Sequence, residues 1–178
     1  MEQGYQEDTL LNRRAGITVS NVTASYGKTP ALVSVSAVVE GGSIYALLGP
    51  SGCGKTTLLS CILARKKVDS GTILVDKSPA DKRLCSIGYM PQDICLYQEF
   101  SIQETFQYFG SLHSMARKEV NHRQEELLDM LDLPEKKRQV RNMSGGQRRR
   151  LSLSVSLLHQ PKILILDEPT VGVDPIVR

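Results

Sequence analysis

The stretch Gly49-Pro-Ser-Gly-Cys-Gly-Lys-Thr-Thr57 constrains the fold of this chain more than any other. It satisfies G-x-x-x-x-G-K-[ST] through Gly49, Gly54, Lys55 and Thr56, with Pro50, Ser51, Gly52 and Cys53 between. Glycines at this spacing let successive backbone N–H groups curl around one anion, where a side chain would obstruct it. The apolar run Ile44–Leu48 precedes the loop, and TTLLSCILARKK follows it. That context predicts a strand buried on both faces, then the loop, then a helix that turns its positive end to the anion and carries basic residues in its last turn. Lys55 supplies a point charge for the outer phosphates of a nucleotide, and the Thr56 hydroxyl is a hard oxygen ligand for Mg²⁺.

The rest of the chain fits an α/β domain. ITVSNVTASYG and ALVSVSAVVE are rich in β-branched residues, Gly41-Gly42 supplies a turn, and GTILVD and CSIGYM read as further β segments. From Ile102 to Leu133 the character is helical, with Val120, Gln124, Leu127, Leu128 and Leu131 on one face and Pro134 as the stop. SGGQRRRLSLSVSLLH reads as a helix opened by Ser-Gly-Gly, with Leu151, Val155 and Leu158 aligned, and KILILDEP as a second buried strand. The boundaries expected are a polar tail over 1–15 and one domain over 16–178, with a helical subdomain at about 97–145.

Composition removes several function classes. A net charge of +3 over 178 residues lacks the strong basic field of a nucleic-acid binder. Cys53, Cys61, Cys85 and Cys95 have no metal-ligand spacing, so free thiols are expected. The N-terminus has no apolar core of a signal peptide, and no apolar run is long enough to span a bilayer.

Two further motifs carry chemistry. The strand-like run before Asp167 and Glu168 delivers one carboxylate to hold Mg²⁺ and a second, Glu168, to act on water as a general base. Ser144-Gly145-Gly146-Gln147 opens a helix and makes a second phosphate-facing surface. One nucleotide needs one cradle, so the second is expected to close on the nucleotide of another subunit in a sandwich dimer.

These residues resemble the nucleotide-binding domain of an ATP-binding cassette (ABC) transporter: GPSGCGKT as Walker A, MSGGQ as the signature and ILILDE as Walker B, over nearly everything from Gly16 to Arg178. The resemblance implies a P-loop NTPase fold, an ABC ATPase core with an N-terminal antiparallel β subdomain and a helical signature subdomain. It implies ATP and Mg²⁺ as ligands. It also assigns Tyr26 to stacking on adenine, Gln92 to contact with Mg²⁺ and the attacking water, and Asp174 to the dimer interface. The wording of GCGKTTLLSCI, GYMPQDICLYQEFSIQET and ILDEPTVGVDPIVR is similar to the G/H branch of half-transporters, most of all the arthropod H subfamily. That likeness implies a second nucleotide-binding domain, identical or not, and a transmembrane domain C-terminal on the chain. It places the domain at the cytoplasmic face of a membrane, powering export, with lipid or hydrophobic cargo; no nucleic acid is expected. Met143 replaces the commoner leucine of the signature, a near-isosteric exchange. The family's switch histidine follows the D-loop, whereas His113, His122 and His159 all precede Walker B, so the chain is read as a cassette truncated at Arg178. The alternatives are a soluble ABC ATPase such as a translation factor, or an ATP-binding module without turnover; sequence beyond residue 178 separates them.

Overall fold

The computed structural model describes residues 15–169, which fall into two compact units that divide between Leu84 and Cys85. In the first, β1 (Ala15–Tyr26) pairs antiparallel with β2 (Thr29–Glu40) on one side and β3 (Ser70–Val75) on the other; β4 (Ser78–Pro79) completes a sheet ordered β2-β1-β3-β4. β1 buries Ile17 and Val19, then Val22 and Ala24, so its inward parity changes midway. The cause is a bulge at Asn21, which adopts φ 48°. Ser36 fixes it by accepting the Asn21 N–H at 2.9 Å and donating to Oδ1 at 3.1 Å.

Two expectations for this unit are corrected. Ile44–Leu48 forms no strand, and Ile44 and Leu48 are 102% and 88% exposed. Apolarity makes a segment fit for burial, but a strand exists only through a ladder partner, and none of the described residues pairs with this run. The helix after the loop, α1 (Lys55–Ile62), is also shorter than expected. The N–H groups of Ala64 and Arg65 turn back to the Cys61 and Ser60 carbonyls, with Ala64 at φ 53°. Arg65, Lys66 and Lys67 therefore lie past the last turn rather than within it.

In the second unit β5 (Ile87–Met90) and β6 (Ile163–Leu166) pair in parallel, from Ile87 opposite Ile163 to Met90 opposite Leu166. Ile165 is buried while Leu164 and Leu166 are more than a third exposed, so β6 alternates where continuous burial was expected. With one ladder partner among the described residues, a strand has an uncovered side. The helical stretch after Ile102 is two helices, α2 (Ile102–Leu112) and α3 (Arg117–Met130), separated by a turn with Ser114 at φ 56°. They pack closely because Gly110 has no side chain: a Cβ there would meet Val120 Cγ2 at 2.3 Å. A capping box starts α2, Ser101 accepting the Glu104 N–H while the Glu104 carboxylate accepts from Ser101.

α4 (Gly145–Leu157) completes the unit. Its Leu151, with Leu158 just beyond, joins Ile102, Phe106, Val120, Leu127, Val140 and Met143 in one buried core. Met143 thus fills a core position as leucine would. Among the described residues no helix is long and apolar enough to cross a membrane. All four cysteines are free.

Candidate functional site

The loop Gly49–Thr57 lies on the surface of the first unit and runs directly into α1. Gly54 caps that helix at φ 98°, a left-handed conformation, and a Cβ on it would meet the Ala31 carbonyl oxygen at 2.7 Å. No side chain caps the helix. Its first N–H groups are left for solvent or an anion. Lys55 folds over the loop, its Nζ donating to the carbonyls of Gly49 and Pro50 at 2.8 Å each and lying 3.9 Å from Cys53 Sγ. The ammonium is thus held at the mouth of the loop. Thr56 is exposed on the first turn.

Tyr26 ends β1 with an exposed ring. Lys66 covers one face, its Nζ 3.9 Å from the ring centroid and donating to the Ser25 carbonyl at 2.7 Å. The cation and the ring attract through the ring quadrupole. Lys66 was not singled out in the sequence. Forty residues separate it from Tyr26, and no local pattern links the two.

In the second unit the ends of β5 and β6 bring Gln92 and Glu168 together, Gln92 Nε2 donating to Glu168 Oε2 at 2.8 Å. Asp167 is buried at 7% exposure, and its N–H extends the strand ladder to the Met90 carbonyl at 2.9 Å. Glu168 is exposed and adopts φ 47°, unusual for a residue with a side chain. A cavity of about 370 Å³ lies beside Gln92, lined by Asp93, Ile94, Gln98, Arg148 and Arg149. Behind it Arg149 is buried, with Nη1 on the Pro91 and Gln92 carbonyls, Nη2 on those of Asp167 and Glu168, and Nε on that of Pro169. In the sequence Arg149 is one of three consecutive arginines, and nothing distinguishes it from its neighbours.

Ser144 caps α4 with a reciprocal box: its Oγ accepts the Gln147 N–H at 3.1 Å, and Gln147 Oε1 accepts the Ser144 N–H at 2.9 Å. A Cβ on Gly145 or Gly146 would meet nothing within 4 Å. Lys55 and Thr56 belong to one unit, and Asp167, Glu168 and the Ser144–Gln147 box to the other. Asp174 lies outside the described residues.

Comparison with known proteins places this arrangement. The family model for ABC transporters matches residues 32–171. ABC transporter G family members 23 and 20 of Dictyostelium discoideum are 43% and 40% identical over 90% and 91% of this chain. The linearmycin resistance ATP-binding protein LnrL of Bacillus subtilis is 34% identical over 91%. The chain spans 24%, 23% and 54% of the lengths of those three relatives. Among solved structures, the dimeric ATP-binding cassette MJ0796, in a post-hydrolysis state bound to ADP and Pi, superposes with a TM-score of 0.80 at 26% identity, covering 90% of this chain and 77% of that one. A putative ABC transporter ATP-binding protein from Pyrococcus furiosus gives 0.80 at 27% identity, covering 90% and 78%. With most of its length matched by that model and the P-loop NTPase fold of those cassettes, the chain belongs to the ABC transporter family, as an ABC ATPase domain.

Proposed function

We propose that this domain binds and hydrolyses ATP to drive transport, as the nucleotide-binding domain of a G/H-type half-transporter working as a dimer. The observation that carries the reading is the Gln92–Glu168 contact of 2.8 Å. The amide holds by one oxygen a carboxylate that stands exposed at a strand end, which suits a general base orienting water. Gly49–Thr57 takes the phosphates, Lys55 their outer charge, and Tyr26 the adenine on the ring face that Lys66 leaves free. The hydroxyl of Thr56 and the carboxylate of Asp167 are hard oxygen donors, a set that fits Mg²⁺, with Gln92 as a further oxygen ligand. Mg²⁺ held there would neutralise charge on the phosphates.

Ser144, Gly145, Gly146 and Gln147 are proposed to cover the nucleotide of a second nucleotide-binding domain, identical or not, with Asp174 at the same interface. Support comes from the open space around Gly145 and Gly146, where a Cβ would meet none of the described residues within 4 Å. We assign the cavity beside Gln92 to contact with a transmembrane domain; on that reading, which follows the family resemblance, the protein works at the cytoplasmic face of a membrane. Export, lipid or hydrophobic cargo and the H-subfamily assignment rest on sequence resemblance alone; the subdomain at about 97–145 rests on the helical pattern from Ile102 to Leu133. The transporter relatives disfavour a soluble translation-type ATPase.

The deciding experiment is Glu168→Gln in the full-length protein. ATP binding is retained and steady-state phosphate release falls by about 10²–10⁴; undiminished turnover removes Glu168 as the base.

A further inference from the structure

Arg149 sits two residues beyond the Ser144–Gln147 box on α4 and is 3% exposed. Its guanidinium meets five backbone carbonyls at 2.5–3.3 Å, two after β5 and three after β6. A buried guanidinium is costly unless its rigid fork of N–H donors is matched, and here each of its three nitrogens has a carbonyl. The carbonyls it selects belong to the segments that carry Gln92 and Glu168, whose side chains meet each other. Glu168 also holds a left-handed backbone, which is unfavourable for a residue with a Cβ and persists only where the surroundings impose it. Arg149 bonds the carbonyl of Glu168 itself and those on either side. The neighbouring arginines are spent elsewhere: Arg150 faces Asp132 at 3.5 Å and Arg148 lines the cavity.

We propose that Arg149 is a positioning residue for hydrolysis, fixing the backbones of Gln92 and Glu168 so that their side chains stay paired. It touches neither nucleotide nor water and acts through those two residues; the proposal rests on the reading of Glu168 as the base. A lysine cannot replace it, because its three donors sit on one nitrogen and cannot match five carbonyls reached from three.

The test compares Arg149→Met, Arg149→Lys, Glu168→Gln and the Arg149→Met/Glu168→Gln double variant in the full-length protein. Expected for Arg149→Met is a kcat about 10- to 100-fold lower, as small misplacements of catalytic groups produce, with ATP affinity within about twofold of the parent. In the Glu168→Gln background the same substitution changes the residual rate by less than about twofold, because the carboxylate that the Gln92–Glu168 pairing serves is already gone. A parent-like kcat for Arg149→Met overturns the proposal, as does an equal loss of rate in both backgrounds. So does a loss of ATP affinity that matches the loss of rate, which marks packing alone. If Arg149→Met does not fold, Arg149→Lys decides: a parent-like kcat overturns the proposal, and a lower kcat at unchanged affinity supports it. Full turnover by Glu168→Gln removes the base and the proposal together, whereas its loss beside an unaffected Arg149→Met removes the proposal only.

Discussion

Two helices begin at glycine-rich motifs, and they begin differently. α1 starts at Gly54 in a left-handed conformation with no side-chain cap, so its terminal N–H groups await a partner from outside. α4 starts at Ser144 in an extended conformation, and its own Ser144 and Gln147 already satisfy two of its N–H groups. Gly54 has to be glycine for shape, since both its φ and the Ala31 carbonyl exclude a Cβ. Gly145 and Gly146 have ordinary backbone angles and open space around them, so nothing among the described residues demands glycine there. The first is a loop whose shape only glycine allows; the second is a self-capped helix start with open space beside its glycines among the described residues. Glycine marks both for unrelated reasons.

Substitutions can break this contrast. Gly146→Asp places a carboxylate in the open space before α4, and an acid suits a helix start. Turnover of the full-length protein should fall by about 100-fold or more, the scale of losing an electrostatic contact to the transferring group, with ATP affinity and melting temperature unchanged. Retained turnover would mean that α4 faces no phosphate. Gly54→Ala is expected to behave oppositely. Forcing a Cβ into the left-handed region costs about 1–2 kcal/mol, so ATP affinity by isothermal titration should weaken about tenfold, together with stability. An affinity equal to the parent would show that the loop's shape is not what binds.

Ser144→Ala sharpens the contrast further. Losing the N-cap should cost about 0.5–2 kcal/mol in denaturant unfolding, with no counterpart at α1, which has no such cap to lose. The smallest effect concerns pH. His113 and His159 stack with ring centroids 3.8 Å apart, His159 lying just beyond the end of α4. Burial lowers the pKa of both below the usual 6.5; for His159 the neighbouring imidazole adds to this, and its contact with the Ile87 carbonyl opposes it. The unfolded chain therefore binds more protons there than the folded one. Their contribution to stability is full above pH 6.5 and is lost as the pH falls through the depressed folded values. The melting temperature should drop slightly between pH 7.5 and 5, and His159→Gln should flatten that slope; an unchanged slope would discount the pair.

Much of the candidate site was legible because it is local chemistry. G-x-x-x-x-G-K-T, Ser144-Gly-Gly-Gln147 and an apolar run ending in Asp167-Glu168 each specify a backbone shape or a cap within a few residues. The presence of β1 and β2 followed from their richness in β-branched residues, and the buried face of α3 from helical spacing. The break between α2 and α3 was hidden, because helical periodicity runs through both and only the turn at Ser114 interrupts it. The exposure of Ile44–Leu48 was hidden for another reason: its sequence states a hydrophobicity and cannot supply a ladder partner.

Local residue patterns alone specify a glycine loop of the phosphate-binding type, a self-capped second helix start and a pair of acids at a strand end. Backbone torsions, caps and side-chain charge set these over a span of four to nine residues. Only long-range packing brings Gln92 to Glu168 across 76 residues, Lys66 onto Tyr26 and Arg149, among three arginines, onto the backbone of Gln92 and Glu168. Those contacts depend on which strands pair and in what register. That choice is made by burial and hydrogen bonding over the whole unit rather than by any neighbour in the chain.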